Sequence, residues 1–320
     1  MTTGSRDPVR GRYAPSPTGA LHLGNLRTAL LAWLFARHAS GRFILRIDDL
    51  DLPRVRPGAT DRMLADLRWL GLDWDEGPDA GTGGPYGPYV QSARQAIYDA
   101  ALARLREAGL VYPCYCTRAE LARLASAPQA GDDAPRYPGT CRHLTAAECR
   151  AREAAGRRPA LRFRAPDEPI RFVDTLHGEQ TESVAETVGD FLVCRSDGIV
   201  AYQLAVVVDD ALMGVTQVVR GADLLPSTAR QLALYAALGY PPPREYVHVP
   251  LLLGADGARM AKREGALGLD PLRERGARPE GVLGMLAARC GLWPSGEPVT
   301  LDDLLAAFAP ERITIESTAP

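Results

Sequence analysis

The segment Arg12-Tyr13-Ala14-Pro15-Ser16-Pro17-Thr18-Gly19-Ala20-Leu21-His22-Leu23-Gly24-Asn25 does most to limit what this chain can become. Two prolines and a glycine impose a rigid turn. It closes a short strand, Val9 to Tyr13, and opens a helix from Leu26 to Arg37, with Ala29, Leu30, Trp33 and Leu34 as one apolar stripe. His22, Gly24 and Asn25 therefore stand at a helix N-terminus. Backbone N–H groups and the positive end of the helix dipole attract phosphate there. Gly24 carries no Cβ to hold a nucleotide ring away, and His22 adds a directional donor. A plain capped turn would carry the same prolines, so a second element is needed to decide.

That element is a lysine. The chain has 37 lysines and arginines, and all but Lys262 are arginine. Arginine serves wherever an ordinary surface cation is wanted. A surviving lysine marks a place that needs a compact ammonium on a flexible stem, such as a mobile contact to polyphosphate. Lys262 lies in Arg259-Met260-Ala261-Lys262-Arg263. Two phosphate-type segments thus stand far apart in one chain.

Between them the sequence alternates. Phe43 to Ile47 reads as a short buried strand ending in acidic residues, Thr60 to Leu70 and Ser92 to Ala108 as helices, and Gly77 to Pro88 as a Gly/Pro-rich loop. This rhythm predicts an α/β fold, a parallel sheet covered by helices. It breaks between Val111 and about Arg195, where cysteines, arginines and a Gly/Pro/Asp-rich loop replace it. Ile199 to Val208, a near-continuous apolar run, is expected to be a strand buried on both faces. Arg230 to Leu238 reads as a helix, Tyr246 to Leu253 as a strand, and Pro279 to Cys290 and Asp302 to Phe308 as short helices. The expected organisation is a catalytic domain in two halves, residues 7–109 and 199–255. An insertion, 110–198, separates them, and a loop with a short helical segment, 256–320, follows.

A net charge of −2 gives no global basic field for nucleic acid, but nine arginines between Arg136 and Arg171 give a local one. They are read as an RNA-facing surface. No apolar run approaches the roughly 20 residues of a membrane span, and the N-terminus leads into no apolar signal region. The expectation is a cytoplasmic, soluble protein that avoids membranes and acts as a monomer. Six cysteines in a chain of 320 residues do not make a disulfide scaffold. Cys114, Cys116 and Cys141 are spaced as zinc ligands, and coordination chemistry offers His143, then Cys149, as a fourth. Cys194 and Cys290 read as core thiols.

His22-Leu23-Gly24-Asn25 and Arg259 to Arg263 together resemble the two signatures of class I aminoacyl-tRNA synthetases. The second keeps Met260 and Lys262 but replaces the first lysine and both serines. The Pro-Ser-Pro-Thr-Gly wording is similar to the glutamyl branch. So are Arg46-Ile47-Asp48-Asp49-Leu50-Asp51, Tyr202 to Asp210 and Val219 to Leu225. The resemblance spans nearly the whole chain and implies a Rossmann-like catalytic domain with a zinc-bearing insertion. It implies ATP binding with Mg²⁺ through His22, Gly24, Asn25, Met260 and Lys262, of which His22 and Lys262 serve catalysis. It implies L-glutamate binding through Arg12, Ser16, Asp48, Tyr202 and Arg220, although the family usually has Glu where Asp48 stands. It also points to Tyr137 as a fourth zinc ligand.

Too little sequence follows Arg263 for the anticodon-binding domain of the ordinary glutamyl enzymes. The expectation is therefore a shortened member that loads activated glutamate onto the queuosine base in the anticodon stem-loop of tRNA(Asp). The alternatives are a compact enzyme charging the 3′ end of tRNA(Glu), or a non-catalytic RNA-binding relative. A nucleotidyltransferase would have no reason to keep Arg12, Tyr202 and Arg220 together.

Overall fold

A computed structural model describes residues 8–79, 84–117, 119–121, 136–251 and 268–314. The first unit is a strand, β1 (Arg10–Tyr13), the Pro/Gly turn, helix α1 (Leu23–His38) and strand β2 (Arg42–Leu45), which pairs parallel to β1. Gly11 lets α1 lie close on the sheet: a Cβ there would meet the Ala36 Cβ at 2.9 Å. Helices α2 (Ala59–Trp69) and α3 (Gln95–Glu107) follow.

The chain then makes β3 (Val111–Cys114), α4 (Ala146–Ala154), β4 (Ala160–Phe163), β5 (Ile170–Asp174), β6 (Gly178–Glu182), α5 (Val184–Thr187) and β7 (Phe191–Cys194). Next come α6 (Tyr202–Leu212), β8 (Gln217–Gly221), α7 (Ser227–Leu238), β9 (Glu245–Val249), α8 (Leu269–Glu274), α9 (Pro279–Ala288) and α10 (Leu301–Ala306). Two sheets result. The larger has six strands in the order β2-β1-β8-β9-β5-β6, all parallel except the β5–β6 hairpin; the smaller is an antiparallel trio, β3-β4-β7.

One core packs α1, α2, α9 and α10 over the sheet through Leu26, Leu30, Leu67, Leu286 and Leu304. A second joins α3, α6 and α7 to the small sheet through Leu102, Phe163, Val193, Val207 and Leu234. A third is small, formed by Tyr112, Cys114, Tyr115, Tyr137 and Cys141.

The structure corrects two expectations. The run Ile199 to Val208 is no strand: Tyr202–Leu212 is α6, and Leu204 to Asp210 are all buried. A helix wrapped on every side loses its polar stripe, so an apolar run does not separate it from a buried strand. Nor do residues 110–198 all leave the main sheet, because β5 and β6 extend it and β5 pairs in parallel with β9 at Asp174 and Tyr246. Among the described residues, no helix is long and apolar enough to cross a membrane.

Candidate active site

β1 has β2 on one side and β8 on the other, so the chain reverses its winding there. Parallel sheets bind ligands at the carboxyl ends of the strands beside such a switch point. A cavity of about 670 Å³ opens at that place, lined by the turn after β1, the start of α1, the ends of β8 and β9, and α6. Arg12, Ser16, His22, Gly24, Asn25, Asp48, Tyr202 and Arg220 all line it. Met260 and Lys262 lie outside the described residues.

At one end of the cavity, His22 caps α1. Its Nδ1 accepts from the Asn25 backbone N–H at 3.3 Å, and the Asn25 Oδ1 accepts from the His22 backbone N–H at 3.4 Å. This reciprocal box satisfies two helix-terminal donors. With Nδ1 accepting, a neutral His22 carries its proton on Nε2, as a donor. His22 also bridges Gly268 through the backbone, and Leu251 lines the same cavity. Leu251 and Gly268, the described residues that flank Lys262 in sequence, thus both stand at this end.

The opposite wall is a buried charge network. Arg12, Arg46 and Arg94 meet Asp48, Asp209 and Asp210, three guanidiniums against three carboxylates. Arg46, with no exposed surface, is the hub, donating to Asp48 at 2.7 Å and to Asp210 at 2.6 Å. Arg94 and Tyr98 hold Asp209 from α3 and the turn before it. Arg12 donates Nε to Asp210 and Nη1 to the Val219 carbonyl, leaving its Nη2 N–H bonds uncommitted among the described residues. Burial pushes Asp48 up to about 6, against the pull of Arg46. Burial also pushes Asp210 up, but Arg12 and Arg46 outweigh it and hold its carboxyl below the ordinary range. Asp49 has a different task, accepting from the Ser92 backbone and hydroxyl.

Arg220, on β8, is only 5% exposed yet pairs with no carboxylate among the described residues. Its Nε donates to His248 Nε2 at 2.9 Å, Nη1 to Gln231 at 2.7 Å and Nη2 to Thr228 at 2.9 Å. Among the described residues, one N–H bond remains on each terminal nitrogen. Tyr202, 39% exposed at the start of α6, stands at the cavity mouth. A cavity lined by Asp48 and Asp223, by Arg12, Arg27, Arg54 and Arg220, and by a helix N-terminus suits a ligand with an ammonium, carboxylates and phosphates.

Away from the cavity, the Sγ atoms of Cys114, Cys116 and Cys141 lie within 4.8 Å of one another. Cys116 and Cys141 are 3.6 Å apart, and the Tyr137 hydroxyl is 3.5 Å from Cys114. A zinc tetrahedron with Zn–S of about 2.3 Å has S···S edges of about 3.8 Å, so this donor set fits the ion. Burial, with the neighbouring Cys114 charge, pushes the Cys116 thiol up to about 12. Three thiolates this close need a cation to coexist. His143 is exposed and stands outside the cluster, while Cys149 packs at its edge. Cys194 and Cys290 are buried in the two large cores.

The arginine run is not one RNA-facing surface. Arg162 is buried, its guanidinium 3.7 Å from the Tyr137 ring centre and its Nε 3.3 Å from Cys114. Arg142 pairs with Asp190 at 2.7 Å, and Arg164 lies over Tyr112. These three brace the cysteine lobe. Arg150, Arg158 and Arg171 are exposed. The residues that sequence reasoning gave no role are Arg46, Asp174, Asp210 and His248. Arg46 and Asp210 lie in family-like segments, but their pairing spans 164 residues, and the Asp174–His248 and His248–Arg220 contacts also join distant strands, so no local pattern assigns them these tasks.

Residues 8–304 match the family model for tRNA synthetases class I (E and Q), catalytic domain. The chain belongs to this family. It is 58% identical to the glutamyl-Q tRNA(Asp) synthetase of Symbiobacterium thermophilum, across 96% of this chain and 94% of that protein. It is 56% identical to the protein of that name from Nitratidesulfovibrio vulgaris, across 91% of this chain and 89% of the relative. Among solved structures, a glutamate tRNA ligase from Elizabethkingia meningosepticum, in complex with its amino acid, aligns with a TM-score of 0.84 at 31% identity. It covers 98% of this chain, which spans 67% of that one. The Rossmann-like α/β fold expected from the sequence is that of these class I enzymes.

Proposed function

We propose that this synthetase activates L-glutamate with ATP and transfers it to the queuosine base at the wobble position of tRNA(Asp). The observation that carries the reading is the meeting of Arg12, Asp48 and Arg220 with the N-terminus of α1 in one cavity. The glutamate α-carboxylate attacks the α-phosphorus of ATP and expels pyrophosphate, giving glutamyl-adenylate. A hydroxyl of the queuosine cyclopentene diol then attacks the acyl carbon and releases AMP. Activation needs alignment and neutralised phosphate charge more than proton transfer. His22 Nε2, Gly24 and Asn25 hold the phosphates from the helix side. Met260 and Lys262, with Mg²⁺ on the ATP, act from the sequence between Leu251 and Gly268. Arg12 and Arg220 take substrate carboxylate, with Ser16 as a short polar partner and Tyr202 as a further contact, and Asp48 faces the ammonium.

Zinc is held by Cys114, Cys116, Cys141 and the Tyr137 hydroxyl. There it orders the lobe and keeps the thiolates together in the reducing cytoplasm, where the protein acts as a monomer.

The test is acid-precipitable labelled glutamate on tRNA from strains with and without queuosine. Labelling is expected only of queuosine-bearing tRNA(Asp), and periodate oxidation of the diol abolishes it. Equal labelling of both pools, or label released from a 3′ adenosine, would assign the protein to charging of tRNA(Glu) instead. Glutamate-dependent ATP–pyrophosphate exchange should proceed without tRNA and fall in Lys262→Arg, which keeps charge but not shape.

A further inference from the structure

We infer that His248 and Asp174 are positioning residues for Arg220, and that they set the selectivity of the site for a carboxylate over an amide side chain. The inference rests on the reading that Arg220 grips glutamate. It starts from register: Arg220 on β8 and His248 on β9 are Cα partners of a parallel pair, so their side chains leave the same face of the sheet. Asp174 sits at the end of β5, the next strand over. Three neighbouring strands thus each contribute one residue to a buried line.

The chemistry of that line is fixed from both ends. Asp174 Oδ2 is 2.6 Å from His248 Nδ1 and also accepts the His248 backbone N–H, while Asp174 Oδ1 accepts from the backbones of Leu176 and His177. An ionised carboxylate only accepts, so Nδ1 carries the proton. Arg220 Nε only donates, so Nε2 must be a bare lone pair. His248 is neutral, in one tautomer. Burial holds it below the usual histidine value, and Asp174 lies below the usual carboxylate range.

The consequence concerns charge. Arg12 is answered by Asp210 at 3.2 Å. Among the described residues, Arg220 is held at three points by neutral acceptors alone, and its nearest carboxylate in this line is one imidazole away. The guanidinium is oriented without being neutralised. Its charge stays available to an anionic side chain in the cavity. An amide side chain cannot answer it, so glutamine is refused at this wall. A carboxylate placed directly on Arg220 would cancel that preference.

The test is ATP–pyrophosphate exchange on the intact protein with glutamate and with glutamine as substrates. Arg220→Gln tests the underlying reading: an unchanged glutamate KM would remove it, whatever His248 does. Given a raised KM there, His248→Ala and Asp174→Asn are expected to raise the glutamate KM about tenfold or more, the worth of a hydrogen bond to a charged group. kcat and the KM for ATP should stay within about threefold, as for lost uniform binding. His248→Gln restores a neutral acceptor at the Nε2 position and should recover most of the glutamate KM. His248→Glu should lower the glutamate-to-glutamine ratio of kcat/KM by about tenfold or more. A glutamate KM within twofold of wild type in Asp174→Asn, or equal losses in His248→Gln and His248→Ala, would overturn the inference. Should His248→Ala not fold, Asp174→Asn and His248→Gln decide alone.

Discussion

Replacing Asp210 with asparagine tests whether the wall of the cavity is held by charge balance. Asp210 Oδ1 accepts Arg46 Nη1 at 2.6 Å, its Oδ2 accepts Arg12 Nε at 3.2 Å, and its side chain is 4% exposed. Asparagine keeps one acceptor oxygen. Its amide group then turns donors toward the other guanidinium, and three buried cations face two carboxylates. Breaking a buried pair by removing one partner costs about 3–5 kcal/mol, because a charge is left uncompensated. At roughly 2 °C per kcal/mol for a chain of this size, Tm should fall by about 6–10 °C. The comparison is Arg195→Gln, which breaks the Arg195–Asp197 pair, with side chains 39% and 44% exposed. An exposed pair is worth about 1 kcal/mol or less. Thermal unfolding of both variants, followed by circular dichroism, makes the measurement. A loss in Asp210→Asn no larger than in Arg195→Gln would refute the charge-balance account.

The same network shows where the sequence stops being legible. The turn, α1 and the placement of His22 could be read because proline, glycine and the apolar stripe act locally. The α/β class could be read from rhythm. Asp209 and Asp210 could not be assigned a role, since they end an apolar run and resemble ordinary helix carboxylates. Their partners, Arg12, Arg46 and Arg94, lie on β1, just after β2 and just before α3. The run itself misled for a related reason. Packing against α3, β7 and α7 buries α6 on every face, so nothing polar marks a helical period. The hairpin β5–β6 went unseen because β6, Gly-Glu-Gln-Thr-Glu, is a polar edge strand with no apolar alternation. In the sequence Arg162 is one more arginine of a dense run and reads as a surface cation. Only the fold shows it turned inward, against Tyr137 and Cys114.

The remaining expectations are three. Because burial pushes Asp48 up to about 6, its carboxylate is lost as pH falls through that value. With the ammonium of glutamate facing it, kcat/KM for glutamate should be flat above about pH 7 and fall toward tenfold per unit below about pH 6; a profile with the same inflection in Asp48→Asn would exclude Asp48 as its source. Metal analysis of protein purified without added zinc should find one zinc per chain, chelation should lower Tm, and stoichiometric zinc in Tyr137→Phe would remove the phenol from the ligand set. The last expectation concerns Gly189, which positions Tyr137 from behind. Gly189 sits at φ +71°, and a Cβ there would lie 2.6 Å from the Tyr137 carbonyl oxygen. The Tyr137 backbone N–H is tied to the Val188 carbonyl at 2.9 Å, so Tyr137 cannot retreat without losing that bond. Gly189→Ala therefore combines a left-handed backbone penalty of about 1–2 kcal/mol with displacement of the tyrosine. Gly198→Ala, at φ +87° with nothing within 4 Å, carries the backbone penalty alone. Both variants should lose stability, but only Gly189→Ala should lose zinc affinity, read by competition with a chromogenic chelator. Equal zinc affinity in the two variants would show that the position of Tyr137 does not govern the metal.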